Sequence, residues 1–352
     1  MLRPVQARTY ALTLSAVGLG LFLAVIATNF IINPTGVFGT NIFPRPAFND
    51  RYAKFNAYQL NRDRYDAVLF GSSRSYGVPF DELSRHMPET TLADFGVTGG
   101  TLTDHLAVLE YMLRNPPPAG KSIREIFLLL DADSFGQRPF TDESLQFALP
   151  PGLSGESLPH FLWRNLVAIQ PKIWRNALKL RAEQRAAQAS GGTGLQPRHL
   201  AMSRAISLPS TAARAQALPE GGAGDPAAPE KITERPLYSL QLDMWRRFVD
   251  LCRQHDIRLI ATLSPLSRAH ESAFDRSDLA KVIDDIVRVA PVWDFTEAGW
   301  VAEDRGLWLD TIHFRAEIGR MMIARIFGDS MPPRWTEFGR FRPQQSIVME
   351  RP

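Results

Sequence analysis

The stretch DAVLFGSSRSYG, residues 66–77, decides the fold. Its apolar run, residues 67–70, is short and unbroken, which indicates a strand buried on both faces, as in a parallel sheet. A small-residue turn ending at Ser73 follows, and a helix is predicted to begin near Pro79. Because open α/β sheets bind ligands at the carboxyl ends of their strands, we expect the Ser73 hydroxyl at a binding edge. Gly-Ser-Ser is also ordinary turn chemistry, so the stretch alone leaves both interpretations open.

Strand and helix patterns alternate on either side of a long interruption. Further strands are predicted at residues 90–97, 123–130, 258–263 and 292–295. Apolar residues at helical spacing lie between them, and βαβ units of this kind imply a parallel sheet with right-handed crossovers. We therefore expect residues 66–330 to form an α/β domain, in a flavodoxin-like three-layer α/β/α arrangement with a central parallel sheet.

The alternation stops over residues 135–236, which we interpret as an insertion. Residues 158–185 carry one apolar face and predict a helix. Residues 186–230 are rich in Ala, Gly, Pro and Ser, and low hydrophobicity predicts a flexible segment, either a lid or plain disorder. Residues 33–65 are predicted as an irregular connection with a short helix near residues 52–60. Residues 331–352 are predicted as a polar tail without periodicity.

Residues 10–32 carry no charge and are long enough to span a bilayer core of about 30 Å. Arg3 and Arg8 precede this run, so the positive-inside rule favours a cytoplasmic N-terminus, residues 1–9, and an exported body. A cleaved signal peptide is the alternative, but it needs a shorter apolar core and a small-x-small cleavage site. We expect an uncleaved signal anchor in the cytoplasmic membrane, with the bilayer as a partner and the main domain periplasmic.

Composition excludes several classes of protein. The chain has 352 residues, of which 45% are hydrophobic and 22% charged, so it is globular. Its net charge of +3 is small and its cations form no dense stripe, so no nucleic-acid partner is predicted. The lone Cys252 excludes a disulfide within the chain and a cysteine-based metal site. Histidine pairs at metal-binding spacing are absent from the sequence, so neither a metal nor a cofactor is predicted.

A second stretch, DTIHF at residues 310–314, places Asp310 three residues before His313 and just ahead of a predicted helix. Such an Asp can orient an imidazole through one ring nitrogen while the other takes a proton from a serine. A structural role for His313, capping the helix, is the alternative. The other six histidines show no comparable acid neighbour at a strand end. An anion-binding nest at the Ser73 turn is a third possibility, although the lysine of a P-loop is missing.

With Gly-x-Ser after the first strand and Asp-x-x-His before the last helix, the chain resembles the SGNH/GDSL hydrolase superfamily. The resemblance covers residues 66–327, outside the insertion. It implies that Ser73 is a nucleophile and that His313 and Asp310 complete its triad. It also implies an oxyanion hole formed by the backbone N–H groups of Ser73 and of Gly99 or Gly100.

Two departures from the family's pattern narrow the resemblance. Ser72 stands where Asp is usual, and this Gly-Ser-Ser form is similar to a membrane-anchored branch. That branch includes the D-alanyl-lipoteichoic-acid transfer protein and is related to alginate O-acetylation proteins. The family's third block supplies an oxyanion Asn, where this chain has Asp131 and Asp133. Loss of one such donor costs about 10²–10³ in rate, and a carboxylate there would repel an oxyanion unless protonated. Arg74, Asp131 and Asp133 are possible substrate contacts, with Arg74 either an oxyanion helper or a salt-bridge arginine.

The resemblance and the anchor together imply an extracytoplasmic esterase or O-acyltransferase. Its substrate would be acyl, most commonly acetyl, esters of a cell-envelope polysaccharide. A multi-spanning membrane O-acyltransferase is the partner that this branch implies. A non-catalytic glycan-binding or scaffold protein, which keeps the fold without the chemistry, is the alternative that the missing Asn supports.

Overall fold

The computed structural model describes residues 4–117, 121–139, 144–189 and 229–344. These residues divide into two compact units. One unit contains residues 4–53 and 144–189, and the other contains residues 54–117, 121–139 and 229–344. Most of the segment predicted to be flexible, residues 190–228, lies outside the described residues, so its flexibility stays a prediction.

The second unit is built on a six-stranded sheet. Its strands are β1 (Ala67–Gly71), β2 (Leu92–Gly96), β3 (Glu125–Leu130), β4 (Arg258–Leu263), β5 (Val292–Asp294) and β6 (Arg340–Arg342). They lie in the order β2-β1-β3-β4-β5-β6. Neighbours from β2 to β5 are parallel, and β6 is antiparallel to β5. The protein is therefore an α/β protein with a mostly parallel sheet, and β1 to β5 lie where the apolar runs predicted strands.

Helices alternate with these strands and also form most of the first unit. They are α1 (Pro4–Ile32), α2 (Asp50–Asn61), α3 (Phe80–Arg85), α4 (Leu102–Arg114), α5 (Pro151–Ser154), α6 (Leu158–Val167), α7 (Pro171–Ala189), α8 (Tyr238–Gln254), α9 (Arg268–Glu271), α10 (Arg276–Val289), α11 (Trp300–Glu303) and α12 (Ala316–Phe327). Side-chain caps fix several starts; Asp275, for example, accepts a hydrogen bond of 2.9 Å from the Asp278 N–H at the start of α10.

The centre of the sheet is the core of the second unit. Every residue of β1 and β3 is buried, and in the register Phe70 lies opposite Leu128 and Phe95. Each large apolar side chain buried in this way contributes about 1.5–3 kcal/mol. Because both faces of these strands are covered, their apolar runs show no alternation with polar residues.

The end of α1 is fixed to α6 and α7 by hydrogen bonds. Asn29 Nδ2 donates to the carbonyl oxygens of Leu166 at 2.7 Å and Ala168 at 2.8 Å. Its Oδ1 accepts from Trp174 Nε1 at 2.8 Å. Asn29 is fully buried, so these partners satisfy an amide that would be costly to leave unpaired. The described helices of the predicted insertion thus belong to the same unit as α1.

The prediction of one helix over residues 158–185 was wrong. α6 ends at Val167, Ala168 is extended, and α7 begins at Pro171. A proline lacks the backbone N–H that a continuing helix needs, and its ring clashes with the preceding turn. The same residue is favoured in the first turn of a new helix, so Pro171 both ends one helix and opens the next.

Within the segment predicted as a polar tail without periodicity, the described residues 331–344 contain regular structure. Residues 340–342 form β6 and pair with β5, and Phe338 is only 2% exposed. The Phe338 ring lies 5.0 Å from the ring of Phe295. Three residues are too few for an alternating pattern to be recognised, so periodicity could not reveal this edge strand.

α1 is long and apolar enough to cross a membrane. Residues Gln6–Ile32 have a mean hydropathy of 2.2 in their most apolar window, and none of that window is buried inside the protein.

Candidate active site

Ser73 begins one turn of 3-10 helix, Ser73–Gly77, directly after β1. Ser72 caps this turn, because its Oγ accepts a hydrogen bond of 3.1 Å from the Arg74 N–H. Ser75 Oγ donates to the Ser72 carbonyl at 2.7 Å. The chain can turn this tightly because Gly71 has no side chain; a Cβ there would lie 2.7 Å from Ser75 Cβ. These contacts leave Ser73 half-buried at the carboxyl edge of the sheet.

Asp310 and His313 lie in a tight chain reversal just before α12. A β-bridge between Trp308 and Phe314 closes the reversal, and the Leu309 N–H donates to the His313 carbonyl at 2.7 Å. The loop is therefore fixed by backbone pairing on both sides of the two side chains.

Two glycines bring this loop and the Ser73 turn together. A Cβ on Gly77 would lie 2.5 Å from the ring of Phe314. Gly319, in the first turn of α12, faces the carbonyl oxygen of Gly77, and a Cβ on Gly319 would overlap it. Because neither position has room for a side chain, α12 lies directly against the turn that carries Ser73.

The result is a relay of hydroxyl, imidazole and carboxylate. Ser73 Oγ lies 2.8 Å from His313 Nε2, and His313 Nδ1 lies 2.8 Å from Asp310 Oδ2. Nδ1 is assigned as the protonated nitrogen because its partner is a carboxylate, which leaves Nε2 to accept the Ser73 proton. The structure thus brings together the three residues that the sequence assigned to nucleophile, base and orienting acid.

Asp310 is held by three N–H groups. Its Oδ1 accepts from the backbone N–H groups of Ile312 at 2.9 Å and His313 at 2.8 Å, and its Oδ2 faces the His313 ring. Burial disfavours the charged carboxylate, but these hydrogen bonds outweigh it and hold the pKa of Asp310 below its usual value. The carboxylate is therefore ionised at neutral pH and can orient the imidazole.

The three backbone N–H groups expected in the oxyanion hole, those of Ser73, Gly99 and Gly100, differ in their local environment. The Gly100 N–H donates to the Val97 carbonyl at 2.9 Å, so it is used within its own turn. Gly99 is half-buried with a φ of 60°, a left-handed conformation that favours glycine. Among the residues that the structure describes, none accepts a hydrogen bond from the Ser73 N–H. Ser73 is thus the strongest of the three candidates.

Arg74, next to the proposed nucleophile, is buried in an ion pair. Its Nη1 and Nη2 donate to the two carboxylate oxygens of Asp133 at 2.6 and 2.8 Å. Asp131 Oδ1 lies 3.3 Å from the same Nη1. Exposed fractions are 5% for Arg74, 8% for Asp131 and 4% for Asp133. These residues therefore offer a substrate almost no surface, and their role as substrate contacts stays a prediction.

The pKa shifts of Arg74 and Asp133 favour the charged form of both groups. Burial opposes ionisation of Arg74, but Asp131 and Asp133 outweigh it and raise its pKa. Burial likewise opposes ionisation of Asp133, but Arg74 and His270 hold its pKa well below its usual range. Asp133 is thus an ionised carboxylate whose charge is offset by Arg74.

Two members of this cluster were missed from the sequence. Ser264, directly after β4, donates to Asp131 Oδ1 at 2.7 Å and accepts from Arg74 Nη1 at 3.0 Å. His270 Nε2 lies 2.8 Å from Asp133 Oδ2. The acid partner of His270 is remote in sequence and follows β3, the strand beside β4. A search along the sequence for an acid near each histidine could not find the pairing of His270 with Asp133. Ser264 follows β4, so the strand order β1-β3-β4 would have indicated its place beside Asp131.

Within residues 4–117, 121–139, 144–189 and 229–344, no group of three or more His, Cys, Asp or Glu side chains could hold a metal ion. The site that the described residues define is a serine, a histidine and an aspartate at the carboxyl edge of a parallel sheet.

Comparison with protein-family models gives no match to this chain, and comparison with curated proteins gives none either. The chemistry of the site is therefore argued from its own geometry.

Proposed function

We propose that this protein is a membrane-anchored, extracytoplasmic serine esterase or O-acyltransferase that acts on acyl esters of a cell-envelope polysaccharide. The relay carries the proposal, because Ser73, His313 and Asp310 are joined by two contacts of 2.8 Å each. Nucleophilic catalysis needs a base within about 2.6–3.2 Å of the nucleophile and a third group that orients the base.

In the proposed reaction Ser73 Oγ attacks the ester carbonyl while His313 Nε2 takes the hydroxyl proton. The tetrahedral intermediate collapses to an acyl ester on Ser73 as the ester C–O bond breaks, and the His313 imidazolium gives its proton to the departing sugar oxygen. Water then releases a carboxylic acid in an esterase, or a second sugar hydroxyl takes the acyl group in a transferase. His313 serves as base for the second attack and returns the proton to Ser73.

We further propose a flavodoxin-like three-layer arrangement and membership of the SGNH/GDSL superfamily. The parallel strand order β2-β1-β3-β4-β5 supports the first, because it is the order of flavodoxin-like sheets. Ser73 follows β1, and Asp131 follows β3 on the other side of the point where the strand order reverses. Ligands bind at such a point in doubly wound sheets. Gly-x-Ser after β1 and Asp-x-x-His before α12 support the proposed membership of the SGNH/GDSL superfamily.

The proposed location rests on α1. Its apolar length suits a single span, and Arg3 and Arg8, which precede the uncharged residues 10–32, favour a cytoplasmic N-terminus and a periplasmic body. A polymeric glycan is the substrate that this location favours, and a multi-spanning membrane O-acyltransferase is the proposed partner. The acetyl group is the proposed acyl group.

A non-catalytic glycan-binding or scaffold protein is the second candidate. The observation that favours it is the Gly100 N–H, which donates to Val97 instead of toward the site. With neither this donor nor an Asn after β3, stabilisation of an oxyanion would rest on fewer groups, each worth about 10²–10³ in rate.

Hydrolysis of p-nitrophenyl acetate by the purified full chain in detergent distinguishes the enzyme from the non-catalytic candidate. Ser73→Ala and His313→Ala are expected to lower the rate by about 10³-fold or more, and Asp310→Asn by a similar factor. His255→Ala removes an exposed histidine and serves as the matched control, with unchanged rate. A fluorophosphonate should label Ser73 in the wild type and in the control, as read by peptide mass spectrometry.

Equal rates in all five proteins, with no labelled Ser73 peptide, would favour the non-catalytic candidate. Glycan binding retained in Ser73→Ala would then define the remaining function.

A further inference from the structure

The α6–α7 segment exposes large apolar side chains. Exposed fractions are 50% for Leu158, 47% for Trp163, 74% for Ile169 and 54% for Leu178. Single exposed apolar residues are common, but four within one short segment indicate a surface that contacts something other than water.

This segment lies against α1. The rings of Trp163 and Phe22 are 5.9 Å apart, and Asn29 is hydrogen-bonded to the turn between α6 and α7. α1 is exposed up to residue 24, whereas Val25, Ile26 and Asn29 are partly or fully covered. Protein therefore covers one side of the last third of α1, where Phe30 and Ile31 stay 49% and 45% exposed, and the rest of the helix is open to its environment.

The exposed length fixes where a bilayer can begin and end. Residues 6–24 form about 28 Å of helix at about 1.5 Å per residue, close to the hydrocarbon thickness of about 30 Å. Arg8 lies at the N-terminal end of this stretch, where a long cationic side chain reaches the interface. A bilayer around these residues ends near Phe22, at the level of Trp163, and tryptophan is enriched at that level of membrane proteins. Asn29 then lies outside the hydrocarbon.

The exposed face of α7 is basic. Among residues 171–186 it carries Lys172, Arg175, Lys179 and Arg185, against one exposed acid, Glu183. Basic residues beside exposed apolar ones are the pattern of helices that lie on anionic lipid surfaces.

We propose that α6 and α7 lie on the bilayer that α1 crosses, with Trp163 and Ile169 in the headgroup layer and the cations of α7 on anionic phospholipid. This inference rests on the proposed membrane anchor but not on the proposed chemistry. It moves the C-terminal end of the membrane-embedded stretch from the expected residue 32 to about residue 24, with Arg8 at the opposite interface.

The test uses full-length protein in vesicles of phosphatidylcholine and phosphatidylglycerol, with single cysteines labelled by an environment-sensitive fluorophore. The native Cys252 does not interfere, because it is 2% exposed and burial raises the pKa of its thiol to about 12. Labels are placed by Trp163→Cys and Ile169→Cys, by Leu14→Cys in the middle of the span, and by Asp243→Cys on exposed surface of the other unit.

Nitroxides attached near the top of the lipid chains should quench the labels at 163 and 169, whereas nitroxides deep in the chains should quench the label at 14. Iodide in the buffer should quench the label at 243 most strongly. If the label at 14 is quenched by lipid but those at 163 and 169 respond only to iodide, this proposal is overturned while the anchor stands. A label at 14 without lipid quenching overturns the anchor itself.

Charge is tested by the triple variant Lys172→Gln, Arg175→Gln and Lys179→Gln in the Ile169→Cys background. Shallow quenching at 169 should be stronger in vesicles with phosphatidylglycerol than without it, and this difference should be lost in the triple variant. The matched control replaces Arg246, Arg253 and Arg276, three arginines exposed on the other unit, with Gln. A difference that survives in the α7 variant contradicts binding to anionic lipid and leaves the surface to a protein partner.

Discussion

Arg74, the residue after the proposed nucleophile, pairs with side chains that follow the ends of neighbouring strands. Its guanidinium forms a bidentate pair with Asp133, approaches Asp131 and meets Ser264, and all four side chains are buried. A buried pair of this kind is weak support for stability by itself, since desolvation offsets attraction. Removing one partner is different, because it leaves an uncompensated charge in the interior.

Arg74→Met is therefore expected to lower the free energy of unfolding by about 3–5 kcal/mol. Arg246→Met, which breaks an exposed pair with Asp243, should change it by less than about 0.5 kcal/mol. Urea unfolding followed by tryptophan fluorescence measures both. Should Arg74→Met fail to fold, Arg74→Met with Asp133→Leu is expected to recover folding. An Arg74→Met protein as stable as the Arg246→Met control would show that the Arg74–Asp133 pair contributes little to stability.

Among single residues, the sequence identified those that lie beside a recognisable local pattern. Ser73 follows a recognisable strand, and Asp310 and His313 lie three residues apart, so all three could be named in advance. The pairing of Arg74 with Asp133 and Ser264 could not be predicted, because it depends on β3 lying between β1 and β4 in the sheet. Strand order is set by packing of whole elements and leaves no mark on single positions.

The approach of α12 to the Ser73 turn is the element-scale feature on which the relay depends. Gly319→Ala should weaken it, because the added Cβ overlaps the Gly77 carbonyl. Alanine is favoured over glycine in a helix by about 1 kcal/mol, so helix propensity predicts the opposite sign. We expect the clash to dominate, with a loss of about 1–3 kcal/mol in stability and reduced ester hydrolysis.

Thermal unfolding and the p-nitrophenyl acetate assay check this expectation together. Arg320→Ala is the control on the same helix, since it breaks only a partly exposed pair with Glu82. A Gly319→Ala protein that gains stability and keeps its rate would mean that the two elements are not in tight contact.

Helix boundaries show what sequence patterns miss at this scale. The apolar face of residues 158–185 continues past Pro171, so periodicity favoured one helix although proline chemistry favoured two. Proline decided the outcome because a missing donor and a steric clash act locally, whereas an apolar face can continue on a second helix.

For the whole molecule, the C-terminal segment is part of the fold of the second unit. Ending the chain after Ser330 removes β6 and Phe338, and loss of a buried phenylalanine alone costs about 3–5 kcal/mol. We expect this truncation to unfold at lower urea concentration, whereas a chain ending after Gln344 keeps these contacts. Phe338→Ala and Phe341→Ala repeat the comparison at single positions, since Phe341 is 53% exposed. Equal stability of both truncations would show that β6 and Phe338 add little to the stability of the second unit.

The separation of 240 residues between Ser73 and His313 also sets the moment at which the site comes into existence. During synthesis the ribosome makes the serine early and its base near the end, and α12 and β6 follow later still. Until those last elements are in place, the serine hydroxyl has no neighbouring imidazole. On the proposed function and location, a chain exported while unfolded would lack the proposed esterase activity until α12 and β6 have folded.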